Sequence, residues 1–411
     1  MSAQPPSGDP EDDRLPEAET VDPALIEQIE ADYDPSQAWR PLTGFAQPLS
    51  YLVLLGLALY QYYGAGFGTP PAHWHKGIFL GTVLFLIFVV FDARGKRALR
   101  PAWHRPGNVP LHDWVLAFAG LTAALYLPVT IESLTFRIGS PNLTDMVMGT
   151  TLIALVFEAT RRVMGIVLPI IVFVFLLYGV FGQYSPIAVL QHPGTSWAGF
   201  VSHVYMTTEG IYGIPIGVIS TVVFHFVLFG TVATRMGLGQ FFIDVAQCIA
   251  GRYAGGPAKV SVIASSMFGT INGSSIANTV TTGALTIPAM KRIGYRGYFA
   301  GAVEAASSTG GQITPPIMGA AAFVMVEFLE IPYTTIITAA AIPAAMHYLG
   351  VLTIVHLEAR RLGLRGMPAH EVPRFLDVIK RGWPTILPLI ALVYVLFSGF
   401  TPFYAAFWGI T

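Results

Sequence analysis

Long runs of apolar residues alternate with short polar loops along most of the chain. A helix needs about 17–25 apolar residues to cross the hydrocarbon core of a bilayer, where its backbone groups must bond one another. The pattern therefore predicts an all-α, polytopic integral membrane protein. The runs lie at Pro48–Tyr63, Gly77–Phe91, Trp114–Ile131, Leu143–Phe157, Val163–Phe181, Ile211–Thr234, Phe241–Ile287, Tyr298–Phe328, Tyr333–His356 and Trp383–Phe400, and another begins near Pro402.

Composition narrows the class further. Apolar residues make up 53% of the 411 residues and charged residues 11%, whereas soluble globular domains carry about 25% charged residues. The net charge of −1 gives no reason to expect a nucleic-acid partner, and membrane lipid is the expected surrounding. The sequence has no Gly-rich phosphate loop and no HExxH or GxSxG motif, so nothing in it indicates an ATP-driven pump or a membrane-embedded enzyme.

Basic residues predict the orientation of the spans. Cytoplasmic loops of membrane proteins are enriched in Lys and Arg, and here the basic loops are 94–105, 161–162 and 360–381. They fall on one side if the N-terminus is cytoplasmic, as we expect for a multi-pass protein of the bacterial inner membrane. Residues 1–44 are acidic and rich in proline, which predicts a disordered cytoplasmic tail. The loop Gln183–Glu209 would lie on the opposite side.

The segment at about 258–292 departs from the spanning pattern. Its two apolar arms are each about a dozen residues long, too short to span, and basic residues flank both ends. We therefore predict a re-entrant helical hairpin that enters and leaves on the cytoplasmic side. Its tip, 269–278, is rich in Gly, Ser and Asn, which supply neutral oxygen ligands suited to a hard monovalent cation such as sodium. Close helix packing by small residues is the alternative explanation.

The next segment, at about 297–328, is predicted to be a helix that breaks in the middle. Residues 307–316 read SSTGGQITPP, and the proline pair removes two donors and disfavours helix at Thr314. Interrupted helices near mid-membrane mark the binding sites of secondary transporters, whereas a channel would show a continuous pore-lining face. Glu304 precedes the break, and an intramembrane carboxylate is a candidate for ion coupling by default. It could neutralise a cation or relay a proton, or it could only pair with a basic residue or hydrogen-bond the break.

Two motifs carry a family resemblance. GTINGSSIANTVTTGALTIPAMKRIGY followed by EAASSTGGQITPPIMGAAAF resembles the first hairpin and broken helix of the large, DctM-like membrane subunit of tripartite ATP-independent periplasmic (TRAP) transporters. The helices before them resemble the fused form, in which a small subunit's four helices precede the large one. The resemblance implies an elevator-type permease with a small-subunit-like region at 45–160 and the first half of a large subunit at 161–411.

The resemblance also implies a function and its residues. It implies sodium-driven uptake of a small organic acid, such as a C4-dicarboxylate, delivered by a periplasmic substrate-binding protein, often of the TAXI type in the fused form. Sodium is the one cofactor implied. The sodium-site candidates by motif are Ser274, Ser275, Asn278, Thr309 and Gly310, and the substrate candidates are Asn272, Gly273, Ser274, Gln312 and Thr314.

The chain departs from the family pattern in one respect. The family's large subunit is an inverted repeat with a second hairpin and a second broken helix, and no such pair follows before Thr411. We therefore expect a C-terminal half to be missing from this sequence, as in a fragment or a split protein.

Overall fold

The fold is known from a computed structural model that describes residues 40–93 and 106–411. These residues are mostly helical, which confirms the all-α prediction. The helices are α1 Ala46–Phe67, α2 Ala72–Val90, α3 Leu111–Leu134, α4 Leu143–Met164, α5 Val167–Phe181, α6 Trp197–Met206, α7 Ile214–Arg235, α8 Leu238–Ala250, α9 Gly256–Gly269, α10 Ser275–Arg292, α11 Gly297–Gly310, α12 Ala320–Leu329, α13 Tyr333–Arg361, α14 Phe375–Phe397 and α15 Pro402–Ile410.

Seven helices of the described residues are long and apolar enough to cross a membrane. They are α2, α3, α4, α5, α7, α13 and α14. The chain is therefore a multi-pass membrane protein. Of the predicted N-terminal tail, only residues 40–44 lie within the described part of the chain.

Helices α2, α3 and α4 form a bundle around one apolar core. A side chain at Gly77 or Gly81 of α2 would meet α3 at about contact distance or closer, so these glycines let the two helices approach. A buried ion cluster ties the ends of the bundle together. The fully buried Asp113 of α3 accepts from Arg40 at 2.6 Å and from Arg162 of α4 at 2.8 Å.

The bundle is joined to the later helices through α1, α7 and α15. The fully buried His225 of α7 lies 2.8 Å from the carbonyl oxygen of Gln61 in α1, and Tyr62 bonds Thr411 at 2.7 Å. Helix α7 contains a π-helical turn at Ile219–Val223, and His75 of α2 contacts the Ser220 carbonyl oxygen there at 3.1 Å. Hydrogen bonds therefore join the N-terminal helices to the rest of the protein.

The structure adds one helix that the sequence pattern did not predict. Helix α6 lies inside the loop Gln183–Glu209, where Ser196 caps its N-terminus by accepting from the Gly199 N–H at 3.1 Å. Its ten residues are too few to span a bilayer, so no hydropathy run marks it. The long run Phe241–Ile287 divides into α8, α9 and most of α10 because Gly255 and the tip 270–274 interrupt it.

Candidate functional site

The segment predicted as a hairpin consists of two antiparallel helices, α9 and α10, joined by residues 270–274. The Ser265 hydroxyl of α9 lies 3.0 Å from the Thr282 hydroxyl of α10. One turn further from the tip, Ser261 of α9 and Thr286 of α10 both donate to the Oε2 atom of Glu304. Helix α9 has 14 residues, about 21 Å at 1.5 Å per residue, which is shorter than a bilayer core of about 30 Å. The length of α9 agrees with the prediction of a re-entrant hairpin, which stays a prediction.

The tip is closed by its own polar side chains. The Asn272 side-chain oxygen accepts from the Ser274 N–H at 3.1 Å, and the Ser274 hydroxyl accepts from the Ala277 N–H at 3.3 Å. Ser274 is thus the N-cap of α10, and serine is among the best residues for this position. The first N–H groups of α10 have no helical partner and point out of the tip.

The predicted broken helix is also present. Helix α11 ends at Gly310, a short 3-10 turn covers Gly311–Ile313, and α12 starts at Ala320 after the Pro315–Pro316 pair, whose peptide bond is cis. Several freed carbonyls find partners within the protein. The Gln312 carbonyl accepts from the Gly319 N–H at 2.7 Å, and the Tyr333 hydroxyl of α13 contacts the carbonyl oxygens of Pro316 and Ile317. Groups of the protein itself therefore bond several of the carbonyl oxygens that the break leaves without a helical partner.

The tip and the break touch each other. A Cβ on Gly269 would lie 2.5 Å from the Gly311 Cα, and a Cβ on Gly273 would lie 1.9 Å from the Met318 carbonyl oxygen. Such distances leave room for glycine alone. The Gln312 side-chain amide also donates to the Ser275 hydroxyl at 3.1 Å. The two irregular segments thus form one polar junction.

A cavity of about 580 Å³ lies between this junction and α7. Its wall includes the tip residues Asn272, Gly273 and Ser274, the start of α12 at Ala320, and Arg235 at the end of α7. Two helix N-termini, those of α10 and α12, therefore open onto it. Each N-terminus carries a partial positive charge, and Arg235 adds a full one. The electrostatics of this cavity suit an anion.

The predicted site residues are not all brought together. Asn272, Gly273 and Ser274 line the cavity, and Ser275 and Gln312 bond each other beside it. Asn278 is fully buried one turn below the tip, where its amide donates to the Ser265 carbonyl at 2.9 Å.

The remaining candidates on the break point elsewhere. Thr309 is exposed and bonds the Ala305 carbonyl, and Gly310 packs against His347 of α13. The Thr314 hydroxyl lies 3.1 Å from the Tyr348 hydroxyl, also on α13. In this conformation the side chains of Thr309 and Thr314 therefore do not face the hairpin tip.

Glu304 lies at the centre of a second polar cluster that sequence reasoning did not find. Its carboxylate is fully buried between α9, α10 and α11, and its five hydroxyl partners are Ser261, Ser265, Thr282, Thr286 and Ser308. The sequence does hold a signal for this cluster. The polar pairs 261/265, 282/286 and 304/308 are each four residues apart, the spacing that places side chains on one face of a helix.

A membrane protein with two interrupted helical segments that meet beside a cavity has the architecture of a secondary transporter. Residues 151–411 match the family model for the tripartite ATP-independent periplasmic transporter, DctM component. The chain belongs to this family. Family membership confirms the prediction of a transporter component rather than an enzyme.

Known relatives show what the chain is similar to. The C4-dicarboxylate TRAP transporter large permease protein DctM of Pseudomonas aeruginosa is 28% identical over 185 residues, 44% of this chain and 42% of the relative. The sialic acid TRAP transporter large permease protein SiaM of Vibrio cholerae is 26% identical over 182 residues, 44% and 42%. The DctM protein of Vibrio cholerae is 27% identical over 232 residues, 55% and 48%. The chain spans about half the length of the curated relatives it matches.

Proposed function

We propose that this chain is the membrane permease part of a sodium-coupled transporter that takes up small organic anions. The observation that carries the proposal is the junction of the hairpin tip with the helix break beside a cavity. Interrupted helices that meet at mid-membrane form the ion and substrate sites of secondary transporters. Family membership supports the transporter class, and the proposal extends it to the ion and the substrate.

The anionic substrate is supported by the charge around the cavity. The N-termini of α10 and α12 and the residue Arg235 all border it, and anions bind at such N-termini through free N–H groups. The names of the relatives refer to C4-dicarboxylates and to sialic acid, which are both carboxylates. We therefore propose a carboxylate as the substrate.

Sodium as the coupling ion is supported by the oxygen atoms at the junction. The Ser274 and Ser275 hydroxyls lie at the tip, the Asn278 side chain lies one turn below, and the backbone of the break passes beside them. Hard cations prefer such oxygen ligands. Thr309 would have to change its rotamer to join this set, because its hydroxyl bonds the Ala305 carbonyl.

The partners follow from the same proposal. A periplasmic binding protein, of the TAXI type, would deliver the substrate, and the N-terminus would lie in the cytoplasm of a bacterium, with the permease in its inner membrane. Helices α1–α4, most of which precede the family match at 151, would be the fused small subunit.

Uptake into proteoliposomes tests the proposal. The permease is reconstituted with a periplasmic binding protein of the TAXI type, and uptake of labelled succinate or sialic acid is measured with and without an inward sodium gradient. We expect sodium-dependent uptake that Ser274→Ala weakens, and that Ser133→Ala, at an exposed position of α3 in the N-terminal bundle, leaves unchanged. Uptake that is equal in sodium and in choline would contradict sodium coupling.

A further inference from the structure

The buried cluster around Glu304 has an unusual composition for a charged site. Ser261 and Thr286 lie 2.7 and 2.5 Å from the Oε2 atom of Glu304. Ser265, Thr282 and Ser308 surround the Oε1 atom, with Ser265 and Ser308 at 3.0 and 3.1 Å. All five partners are neutral hydroxyls, and Glu304 forms no ion pair with any residue that the structure describes. A buried carboxylate without a cation is costly unless it takes up a proton or many hydrogen bonds.

Ionisable groups on the neighbouring helices are bonded elsewhere or lie at helix ends. Lys259 of α9 contacts His356 of α13 at 3.0 Å, and His347 contacts the Ala306 carbonyl at 3.0 Å. Tyr348 bonds Ser307 and Thr314, and Tyr295 bonds the Val355 carbonyl. Lys291 and Arg292 lie in the last turn of α10. Among the described residues, only the five hydroxyl groups therefore stabilise the charge of Glu304.

The cluster can supply hydrogen-bond partners to Glu304 both when its carboxyl group is ionised and when it is protonated. Each hydroxyl carries one hydrogen, and an ionised carboxylate only accepts. In the ionised state all five hydroxyl hydrogens can turn to the carboxylate. Charge-assisted hydrogen bonds of this kind are the stronger ones, so the ionised form is supported without a counter-ion.

The protonated state has a full set of partners as well. The Glu304 Oε2–H can donate to the Thr286 hydroxyl, whose own hydrogen turns to the Thr282 carbonyl oxygen 3.0 Å away. Thr282 can likewise turn to the Asn278 carbonyl oxygen at 2.8 Å. Ser261 and Ser308 continue to donate to the carboxyl group. The two states differ by rotations of hydroxyl groups and need no movement of heavier atoms.

The spacing of the oxygens favours a proton over a larger cation. Oxygen–oxygen distances of 2.5–3.1 Å around the carboxylate are those of direct hydrogen bonds, so the hydroxyls themselves fill the site. We propose that Glu304 and its five hydroxyl partners are a proton-binding site that joins both arms of the hairpin to the broken helix. A role of this site in transport would rest on the proposed function, but proton binding by Glu304 can be tested without transport.

Infrared difference spectroscopy of the purified protein in nanodiscs tests this site. Spectra are recorded from acidic to alkaline pH in choline buffer, and again with sodium at equal ionic strength. We expect a protonated-carboxyl C=O band that disappears as the pH rises, is absent from Glu304→Gln, and persists in Glu327→Gln, where an exposed glutamate of α12 receives the same change.

A second variant keeps the test open if Glu304→Gln does not fold. Thr286→Val retains the side-chain shape and removes one hydrogen-bond partner of the carboxyl group, so the frequency of the C=O band should shift. A band that Glu304→Gln retains, or that Thr286→Val fails to shift, would overturn the proposal. If the infrared spectrum of the cluster changed with sodium but not with pH, the site would bind an alkali cation and not a proton. None of these outcomes depends on uptake, so they are separable from the test of transport.

Discussion

Gly273 is the position where the hairpin tip and the break approach most closely, and Gly273→Ala tests whether they touch. The new Cβ would lie 1.9 Å from the Met318 carbonyl oxygen and 2.9 Å from the Gly319 Cα. A carbon–oxygen contact needs about 3.3 Å, so the two segments would have to separate by about 1.4 Å. The obstructing atoms are backbone, which cannot rotate away as a side chain can.

The cost of this overpacking should be about 1–3 kcal/mol of folding free energy. Gly273 does not have a positive φ, so alanine is compatible with its backbone and the cost arises from the contact alone. Thermal unfolding of the purified protein, followed by intrinsic fluorescence, measures it. We also expect a smaller stabilisation by sodium, because the separated segments would hold fewer oxygens around the proposed ion site.

Gly301→Ala is the matched control. A Cβ on Gly301 meets nothing within 4 Å, and alanine within a helix is favoured over glycine by about 1 kcal/mol. Gly301→Ala should therefore be as stable as the wild type or slightly more so. Equal stability and equal sodium response in Gly273→Ala and Gly301→Ala would refute the contact between the tip and the break.

Two further predictions concern other parts of the molecule. Asp113→Ala would leave Arg40 and Arg162 buried without their shared carboxylate, and should cost about 3–5 kcal/mol in thermal or chemical unfolding; an unchanged unfolding transition would contradict the buried ion cluster. Single cysteines at Lys259 and Lys291, in a cysteine-free background, should both react with an impermeant reagent from the cytoplasmic side only, because the hairpin is predicted to enter and leave there. Labelling of the two positions from opposite sides would contradict a re-entrant hairpin.

Much of the architecture could be predicted because it depends on local sequence. The basic flanks and the small polar tip predict the hairpin, and the structure has helices Gly256–Gly269 and Ser275–Arg292 there. The Gly and Pro residues of 307–316 predict the break, which the structure places at 311–319. Such signals act through backbone conformation over a few residues and need no knowledge of the tertiary fold.

Other features depend on contacts between distant residues. Glu304 receives four of its five donors from two other helices, including Ser261, 43 positions away. In the sequence, only the spacing of four residues within the polar pairs 261/265, 282/286 and 304/308 indicates this cluster. Asp113 likewise meets Arg40 and Arg162 across 73 and 49 positions. The rotamers of Thr309 and Thr314 depend on α11 and α13, so a motif alone could place these residues near the tip but could not say which way they point.

Binding of sodium at the junction of hairpin tip and helix break can be measured as sodium-dependent stability of the purified protein. Thermal unfolding is measured while sodium replaces choline at constant ionic strength. A ligand that binds the folded state at about 100 times its Kd stabilises that state by about 2.7 kcal/mol. We predict a saturable rise in melting temperature with sodium that is reduced in Ser275→Ala, which removes the hydroxyl that bonds Gln312. A melting temperature that is the same in sodium and choline, in both proteins, would contradict the proposed sodium site.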